Sequence, residues 1–339
     1  MKILVVAPSW VGDTVMAQPM FRLLHKRHAN LSIDVLAPPF TLPLLSRMPE
    51  VRRGIVARFD HGELRLNERR RLARELQIEH YDQAIVLPNS LKSALIPMLA
   101  KIPLRTGFRG EMRYGLLNDL RRLDEKVLPK MVERFAALAL DRGTALSHPL
   151  PFPCLSANTE NTKIIIQKHI LTEDKPIAVF CPGAEYGPAK RWPAEYFGTL
   201  AKQTSEKGYA VWLIGSPKDA AVGEDIVRAS GGTCVNLCGK TSLDDAIDLI
   251  ATAALVVTND SGLMHVAAAL DRPMLALYGS SSPAFTPPLS YKAHIVKIDI
   301  ECSPCFKREC PLGHFNCMRQ LTPDQVLANF PDGRKTQSG

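Results

Sequence analysis

Val256-Val257-Thr258-Asn259-Asp260-Ser261-Gly262-Leu263-Met264-His265, running on into Val266-Ala267-Ala268-Ala269-Leu270, reads as a buried strand, a polar turn and the start of a helix. The apolar run Leu255 to Val257 would deliver Asp260, Ser261 and Gly262 to the carboxyl edge of a sheet. There the following helix aims its unpaired N–H groups, and the positive end of its dipole, at whatever occupies the turn. A diphosphate suits such a turn. The plainer alternative is that Asp260 or Ser261 merely caps the helix.

A second constellation of the same kind lies earlier in the chain. Ile177 to Cys181 form a short apolar run, followed by Pro182-Gly183-Ala184-Glu185-Tyr186-Gly187-Pro188-Ala189-Lys190-Arg191-Trp192-Pro193. This is a strand, a Gly/Pro-rich loop bearing two cations, and a proline suited to the first helical position. Lys190 and Arg191 can neutralise phosphate oxygens, while Gly183 and its small neighbours let the backbone approach a ligand. Together the two turns describe one phosphate pocket between successive strand ends.

The same alternation extends outward in both directions. In the first half, apolar runs at Ile3 to Val6, Ile33 to Leu36 and Ala84 to Leu87 alternate with helical patterns at Val15 to His28, Leu64 to Leu76, Ser90 to Leu99 and Met131 to Ala139. The second half places strands at Ile177 to Phe180, Ala210 to Ile214, Leu255 to Val257 and Met274 to Leu277, with helices beginning near Pro193, Asp219, Ser242 and Leu263. The expected fold class is α/β, two doubly wound parallel sheets covered by helices. With 339 residues, two domains of ordinary size are expected. His148 to Pro153, with three prolines, suits the linker. The expected domains are residues 1–155 and 156–325, then a tail at 326–339 with a disordered end.

No apolar run approaches the length of a membrane span, and the strand-like Lys2 to Ala7 at the start indicates no signal peptide. A cytoplasmic protein is the expectation. The formal charge of +8 is uneven, since residues 1–150 hold 24 Lys and Arg against 15 Asp and Glu, and the rest hold 18 against 19. A basic first half points to a polyanionic partner such as nucleic acid, anionic lipid headgroups or a phosphorylated sugar. Arg65 to Arg74 read as one solvated helix face. Arg105, Arg109, Arg113, Arg121 and Arg122 surround Gly107 and Gly110 and are candidates for ligand contact.

Ligands of doubly wound sheets bind beyond the carboxyl ends of the strands, so two such domains facing across a cleft favour a two-substrate transferase. The first domain offers Pro8-Ser9-Trp10-Val11-Gly12-Asp13-Thr14 after its first strand. Asp13 there is either a helix cap or a base positioned to take a proton from an attacking hydroxyl. Gly12 would let the acceptor approach the backbone.

Ser9 to Asp13, Pro88-Asn89-Ser90, the run Arg109 to Asp119, Cys181 to Glu185, Lys190 to Pro193 and Asp260 to His265 together resemble the bacterial ADP-heptose:lipopolysaccharide heptosyltransferases, a family with the GT-B fold. The resemblance runs essentially end to end. It implies transfer of L-glycero-D-manno-heptose from ADP-heptose to the first inner-core heptose of lipopolysaccharide, with inversion at the anomeric carbon. The acceptor would be Kdo2-lipid A carrying one heptose. Asp13 then matches the catalytic base, and Lys190 the donor-phosphate lysine that stabilises the leaving ADP. Asp260 would orient the sugar, Ser261 and Gly262 would donate to the diphosphate, and His265 would touch the donor or order its loop. Asp219 stands in for the ribose carboxylate, and adenine would lie along Cys238 to Leu243, with Thr241 in reach. Ser9, Gly12, Asn89, Lys92, Arg109 and Arg113 are the acceptor-side candidates. A lipid acceptor and a basic first half together imply peripheral attachment to the inner face of the cytoplasmic membrane.

Catalysis of this kind requires no cofactor. Cys302, Cys305, Cys310 and Cys317, spaced C-x2-C-x4-C-x6-C around His314, either hold a structural zinc or pack as free thiols in an irregular loop. An NAD-dependent oxidoreductase is disfavoured because no G-x-G-x-x-G follows either opening strand. A nucleic-acid-binding module is disfavoured by the lack of an aromatic stacking array. The serious alternative is a sister heptosyltransferase with another acceptor, since donor-binding residues say little about the acceptor.

Overall fold

The computed structural model describes residues 1–59 and 64–330. Two compact units divide the chain after Cys154. The first contains β1 (Lys2–Val6), α1 (Val11–Arg27), β2 (Ser32–Ala37), α2 (Leu42–Ser46), β3 (Val51–Val56), α3 (Leu66–Gln77), β4 (Gln83–Val86), α4 (Leu91–Leu99), β5 (Leu104–Phe108), β6 (Asp119–Arg121) and α5 (Met131–Ala137). Its strands form one sheet in the order β3-β2-β1-β4-β5-β6, every adjacent pair parallel.

The second unit contains α6 (Thr159–His169), β7 (Ile177–Cys181), α7 (Ala194–Glu206), β8 (Ala210–Leu213), α8 (Ala220–Ala229), β9 (Cys234–Asn236), α9 (Leu243–Ala251), β10 (Leu255–Asn259), α10 (Gly262–Ala269), β11 (Met274–Leu277), β12 (Ala293–Val296), α11 (Asn316–Arg319) and α12 (Pro323–Leu327). Its sheet runs β12-β11-β10-β7-β8-β9, again parallel throughout. Both sheets carry the doubly wound order in which the winding direction reverses beside the first strand.

The central strands are apolar on both faces because helices cover both. In the first unit Leu4, Val6, Ala84 and Val86 pack with Ala73 of α3 and Ala94 and Ile96 of α4. The alternate residues Ile3, Val5 and Ile85 are buried too, and period-two geometry puts them on the opposite face. In the second unit Ala178, Phe180, Val211, Leu213 and Val257 pack with Trp192, Phe197, Leu200 and Ile226. Val326 belongs to this same core, with Leu327 and Phe330 against it. The second unit therefore extends past the expected boundary at 325, and the rest of the expected tail, from 331, lies outside the described residues.

Five strands, β3, β5, β6, β9 and β12, and helices α2, α6, α11 and α12 go beyond the pattern read from sequence. All five lie toward the sheet edges. β3 reads Val-Arg-Arg-Gly-Ile-Val with an exposed middle, and β6 is three half-buried residues, Asp-Leu-Arg. Edge strands bury one face or less, so their apolar signal is weak. Arg52 and Arg53 serve the sheet itself. Their guanidinium groups lie 2.7 Å and 3.1 Å from the carboxylate of the buried Asp34. Burial opposes its ionisation, but Arg52 and Tyr81 hold the Asp34 carboxyl below its usual value. Among the described residues no helix is long and apolar enough to cross a membrane.

Candidate functional site

Winding in the second sheet reverses between β7 and β10, the position at which such sheets leave a crevice at their carboxyl edge. The loop leaving β7 is fixed at both ends by one side chain. Asn259, wholly buried at the end of β10, accepts the Trp192 N–H at 3.1 Å and donates to the Pro182 carbonyl at 2.7 Å. The buried Trp192 indole N–H in turn donates to the Leu321 carbonyl at 2.7 Å. Lys190 and Arg191 thus sit on a loop that the core holds in place.

Lys190 Nζ lies 2.6 Å from Asp260 Oδ2, and the Asp260 side chain is only 4% exposed. Asp260 does not cap α10. Ser261 occupies the N-cap position in extended conformation, yet its side chain makes no capping bond. The reading in which either residue merely caps the helix is removed, and the first-turn N–H groups of α10 remain for an anion. His265, one turn into α10, is buried. Burial pushes its imidazole down to about 4, against the pull of Asp260 and with the help of Lys190. It is neutral at physiological pH.

Gly183 is fitted to Asp219, since a Cβ at that position would stand 2.4 Å from Asp219 Oδ2. The buried Asp219 carboxylate accepts the Ser216 N–H at 2.9 Å and its hydroxyl at 2.7 Å, with an Arg191 guanidinium nitrogen 3.9 Å away. It braces the Gly183 loop and faces Arg191. Thr241 Oγ1 and Arg191 Nε are buried without a hydrogen-bond partner among the described residues. Leaving such a group unpaired costs about 1–3 kcal/mol, and both atoms suit a polar ligand.

Winding in the first sheet reverses between β1 and β4. α1 begins at Val11, earlier than the pattern from Val15 suggested, so the buried Gly12 and half-buried Asp13 fall inside its first turn. Trp10 is the N-cap and makes no side-chain capping bond. Asp13 is therefore a first-turn carboxylate and not the N-cap residue. Ser9, half-buried, precedes it on the same loop.

The turns after β4 and β5 interlock beside it. The Asn89 carbonyl accepts the Glu111 N–H at 3.1 Å, and Glu111 Oε2 accepts the Leu91 N–H at 2.7 Å. A Cβ on Gly110 would stand 2.2 Å from the Asn89 carbonyl oxygen. Asn89 and Arg109 are exposed and Lys92 half-buried, with the Arg109 guanidinium 5.7 Å from the Tyr114 ring centre. Arg113 differs from these. Its side chain is 1% exposed and donates to the carbonyls of Pro88 and Phe108 and to Asn89 Oδ1. Direct contact of Arg113 with an acceptor is corrected to a supporting role behind Asn89. Arg105 is likewise bonded to the Leu116 and Ile102 carbonyls, and Arg121 to Asp119. Part of the basic excess of the first half is thus internal scaffolding.

Cys302, Cys305, Cys310 and Cys317 line one small cavity with His314. All are free thiols. Burial pushes the Cys317 thiol up, and the nearby Cys305, Cys302 and Cys310 push it further. Among the described residues, however, no group of three or more His, Cys, Asp or Glu is arranged to hold a metal ion. What the segment visibly does is brace the loop after β7. The Tyr186 hydroxyl donates to the Phe306 carbonyl at 2.8 Å, and the Arg308 carbonyl accepts the Ala189 N–H at 3.0 Å.

Asn259, Tyr186, Ser280 and Ser281 were not singled out by sequence reasoning. Ser280 and Ser281 follow β11, and their hydroxyl oxygens are buried without a partner among the described residues. Position after an apolar run was the available signal, as it was for Asp260. Asn259 carried none, because its role depends on the two ends of a loop distant in sequence.

The chain is similar to known proteins. The family description "Glycosyltransferase family 9 (heptosyltransferase)" matches residues 69–316. The chain is 50% identical over 336 residues to lipopolysaccharide heptosyltransferase 2 of Salmonella typhimurium, covering 96% of this chain and 97% of the relative. Identity and coverage are the same for lipopolysaccharide heptosyltransferase 2 of Escherichia coli K12. The solved structure of E. coli ADP-heptose lipopolysaccharide heptosyltransferase II superposes with a TM-score of 0.88 at 48% identity, covering 97% of each chain.

Proposed function

The chain belongs to glycosyltransferase family 9, the heptosyltransferases, and from that premise we propose that it adds the second heptose of the lipopolysaccharide inner core. It is a GT-B glycosyltransferase with two Rossmann-like units that transfers heptose in lipopolysaccharide core synthesis. The donor in this reading is ADP-L-glycero-D-manno-heptose, and the acceptor is the first heptose on Kdo2-lipid A. The crevice between β7 and β10, lined by Lys190, Arg191, Asp260 and the open first turn of α10, supports the donor, and the observation that carries the acceptor is the 50% identity to heptosyltransferase 2 relatives over nearly the whole chain.

The reaction is a single displacement. The acceptor hydroxyl oxygen attacks the anomeric carbon as the bond from that carbon to the diphosphate oxygen breaks, which inverts the centre. Asp13 takes the hydroxyl proton. ADP departs with the bonding electron pair, and Lys190, Arg191 and the N–H groups at Ser261 and Gly262 stabilise its developing charge. Asp260 orients the sugar while holding Lys190, and the neutral His265 orders the turn. Thr241 faces the nucleoside, and Gly183, backed by Asp219, lets the diphosphate approach the loop. Ser9, Gly12, Asn89, Lys92 and Arg109 receive the acceptor.

ADP release, followed in parallel with heptose-free Kdo2-lipid A and with its monoheptosylated form, tests the assignment. Turnover with the monoheptosylated acceptor alone is expected. Turnover with the heptose-free acceptor alone would move the enzyme to the preceding step, and silence with both would remove the donor. A lipid-linked acceptor also calls for peripheral attachment to the inner face of the cytoplasmic membrane, which high salt should reverse.

A further inference from the structure

The cations of the donor loop are already matched by carboxylates. Lys190 pairs with Asp260 at 2.6 Å, Arg191 stands 3.9 Å from Asp219, and Lys218 pairs with Glu185. These three pairs cancel in charge, yet a nucleoside diphosphate arrives multiply charged, and its charge grows as the bond to the sugar breaks. Helix α10 supplies only a partial positive charge. The charge balance calls for one more cation.

Arg308 meets that requirement from a segment with no other part in the site. Its guanidinium lies 5.3 Å from the Tyr186 ring centre, and Lys190 Nζ lies 5.1 Å from the same ring. Among the described residues no carboxylate pairs with Arg308, and its side chain is exposed. Its backbone is nonetheless fixed against the donor loop. The Arg308 carbonyl accepts the Ala189 N–H at 3.0 Å, and the Phe306 N–H donates to the Ser280 carbonyl at 2.6 Å. Tyr186 closes the contact through its bond to the Phe306 carbonyl at 2.8 Å. Gly187 abuts Arg308 so closely that a Cβ would stand 2.4 Å from the Arg308 carbonyl oxygen. A guanidinium with no carboxylate partner among the described residues, on an anchored backbone and over the same aromatic ring as Lys190, is preorganised for a diphosphate.

We propose that Arg308 is a donor-binding residue, a cation without a carboxylate partner among the described residues that receives the diphosphate of the nucleotide-sugar together with Lys190. This rests on the ADP-heptose reading of the crevice. Because the contacts that staple the segment down are made by backbone groups, side-chain replacements leave the brace in place.

Calorimetric titration of ADP into the full-length protein, Arg308→Ala and Arg308→Lys at two salt concentrations tests the proposal, with thermal unfolding in parallel. Arg308→Ala should weaken ADP about tenfold or more, the size expected for a hydrogen bond between charged groups. It should also flatten the salt dependence, leave the melting temperature unchanged, and be partly restored in Arg308→Lys. ADP affinity within twofold of the unaltered protein would overturn the proposal while leaving the donor reading intact. So would a loss that Arg308→Lys does not relieve, or a loss that tracks a fall in melting temperature. Failure of the unaltered protein to bind ADP would overturn the donor reading and Arg308 with it.

Discussion

The reversal points of the two sheets share a geometry and differ in charge. Each lies beside the first strand of a parallel six-stranded sheet, and at each a helix opens with a glycine in its first turn, Gly12 in α1 after the first strand of its sheet and Gly262 in α10 after the fourth. In α1 the first turn contains Asp13, so the positive helix end already faces a carboxylate. In α10 the first turn has no acidic residue and no side-chain cap, and the neighbouring carboxylate, Asp260, is taken by Lys190. One backbone device thus serves two ends. In the proposed reaction the terminus occupied by its own carboxylate would present the base, and the one left open would receive the anionic leaving group.

If that division holds, damage at the two points separates cleanly. Asp13→Asn should lower kcat by about 10²- to 10⁴-fold, the range of a lost general base, with ADP affinity unchanged. Steady-state turnover combined with ADP titration reads both quantities, and an equal loss of ADP binding would break the division. Lys190→Ala should lower kcat/KM by about 10²- to 10³-fold and weaken ADP as well, because the lysine acts in both bound and transition states. The carboxylate it leaves behind, Asp260, would then face the diphosphate unpaired. Donor KM and kcat measured together decide this, and a change confined to kcat would place Lys190 outside the ground-state diphosphate site.

Much of this contrast was legible in the chain because it is local. Strand, turn and helix start are contiguous at Asp260 and again at Asp13, so apolar runs and polar turns located both crevices. The edge strands were not legible: β3 and β6 carry arginines in the positions where central strands carry valine and isoleucine. Nor was the fate of individual cations, because a long basic side chain reads alike in sequence whether it meets a ligand or a carbonyl. Arg109 and Arg113 lie four residues apart on the same stretch. One is exposed against Tyr114 and the other is swallowed by the carbonyls of Pro88 and Phe108. Only the path of the backbone, set by contacts distant in sequence, distinguishes them.

That pair sharpens the acceptor side of the comparison. Arg113→Ala would strand the buried carbonyls that the guanidinium satisfies, and should cost about 2–4 kcal/mol of stability. Lysine should rescue little, since one ammonium cannot span the three acceptors of the planar fork. Denaturant midpoints should fall for both variants. A raised acceptor KM with an unchanged midpoint would return Arg113 to direct contact. Arg109→Ala should do the opposite, altering acceptor KM while leaving stability nearly intact.

The smallest effect at neutral pH concerns the dryness of the donor crevice. Burial holds His265 neutral down to about 4, whereas an unfolded chain would take up the proton near 6.5. Between those values the unfolded state binds more protons, so this residue's contribution to stability is highest above about 6.5 and is lost as pH falls toward 4. The penalty at the acid end is roughly 3 kcal/mol. His265→Gln removes the titration, so the gap between variant and unaltered protein should shift in the variant's favour on acidification from pH 7 to pH 4.5. Urea unfolding at the two pH values reads the shift, and other titrating groups cancel in the difference. A constant gap would mean that water already reaches the imidazole. The Lys190–Asp260 pair beside the α10 turn would then be as solvated as Asp13, and the different charge of the two helix ends would no longer reflect a difference in burial.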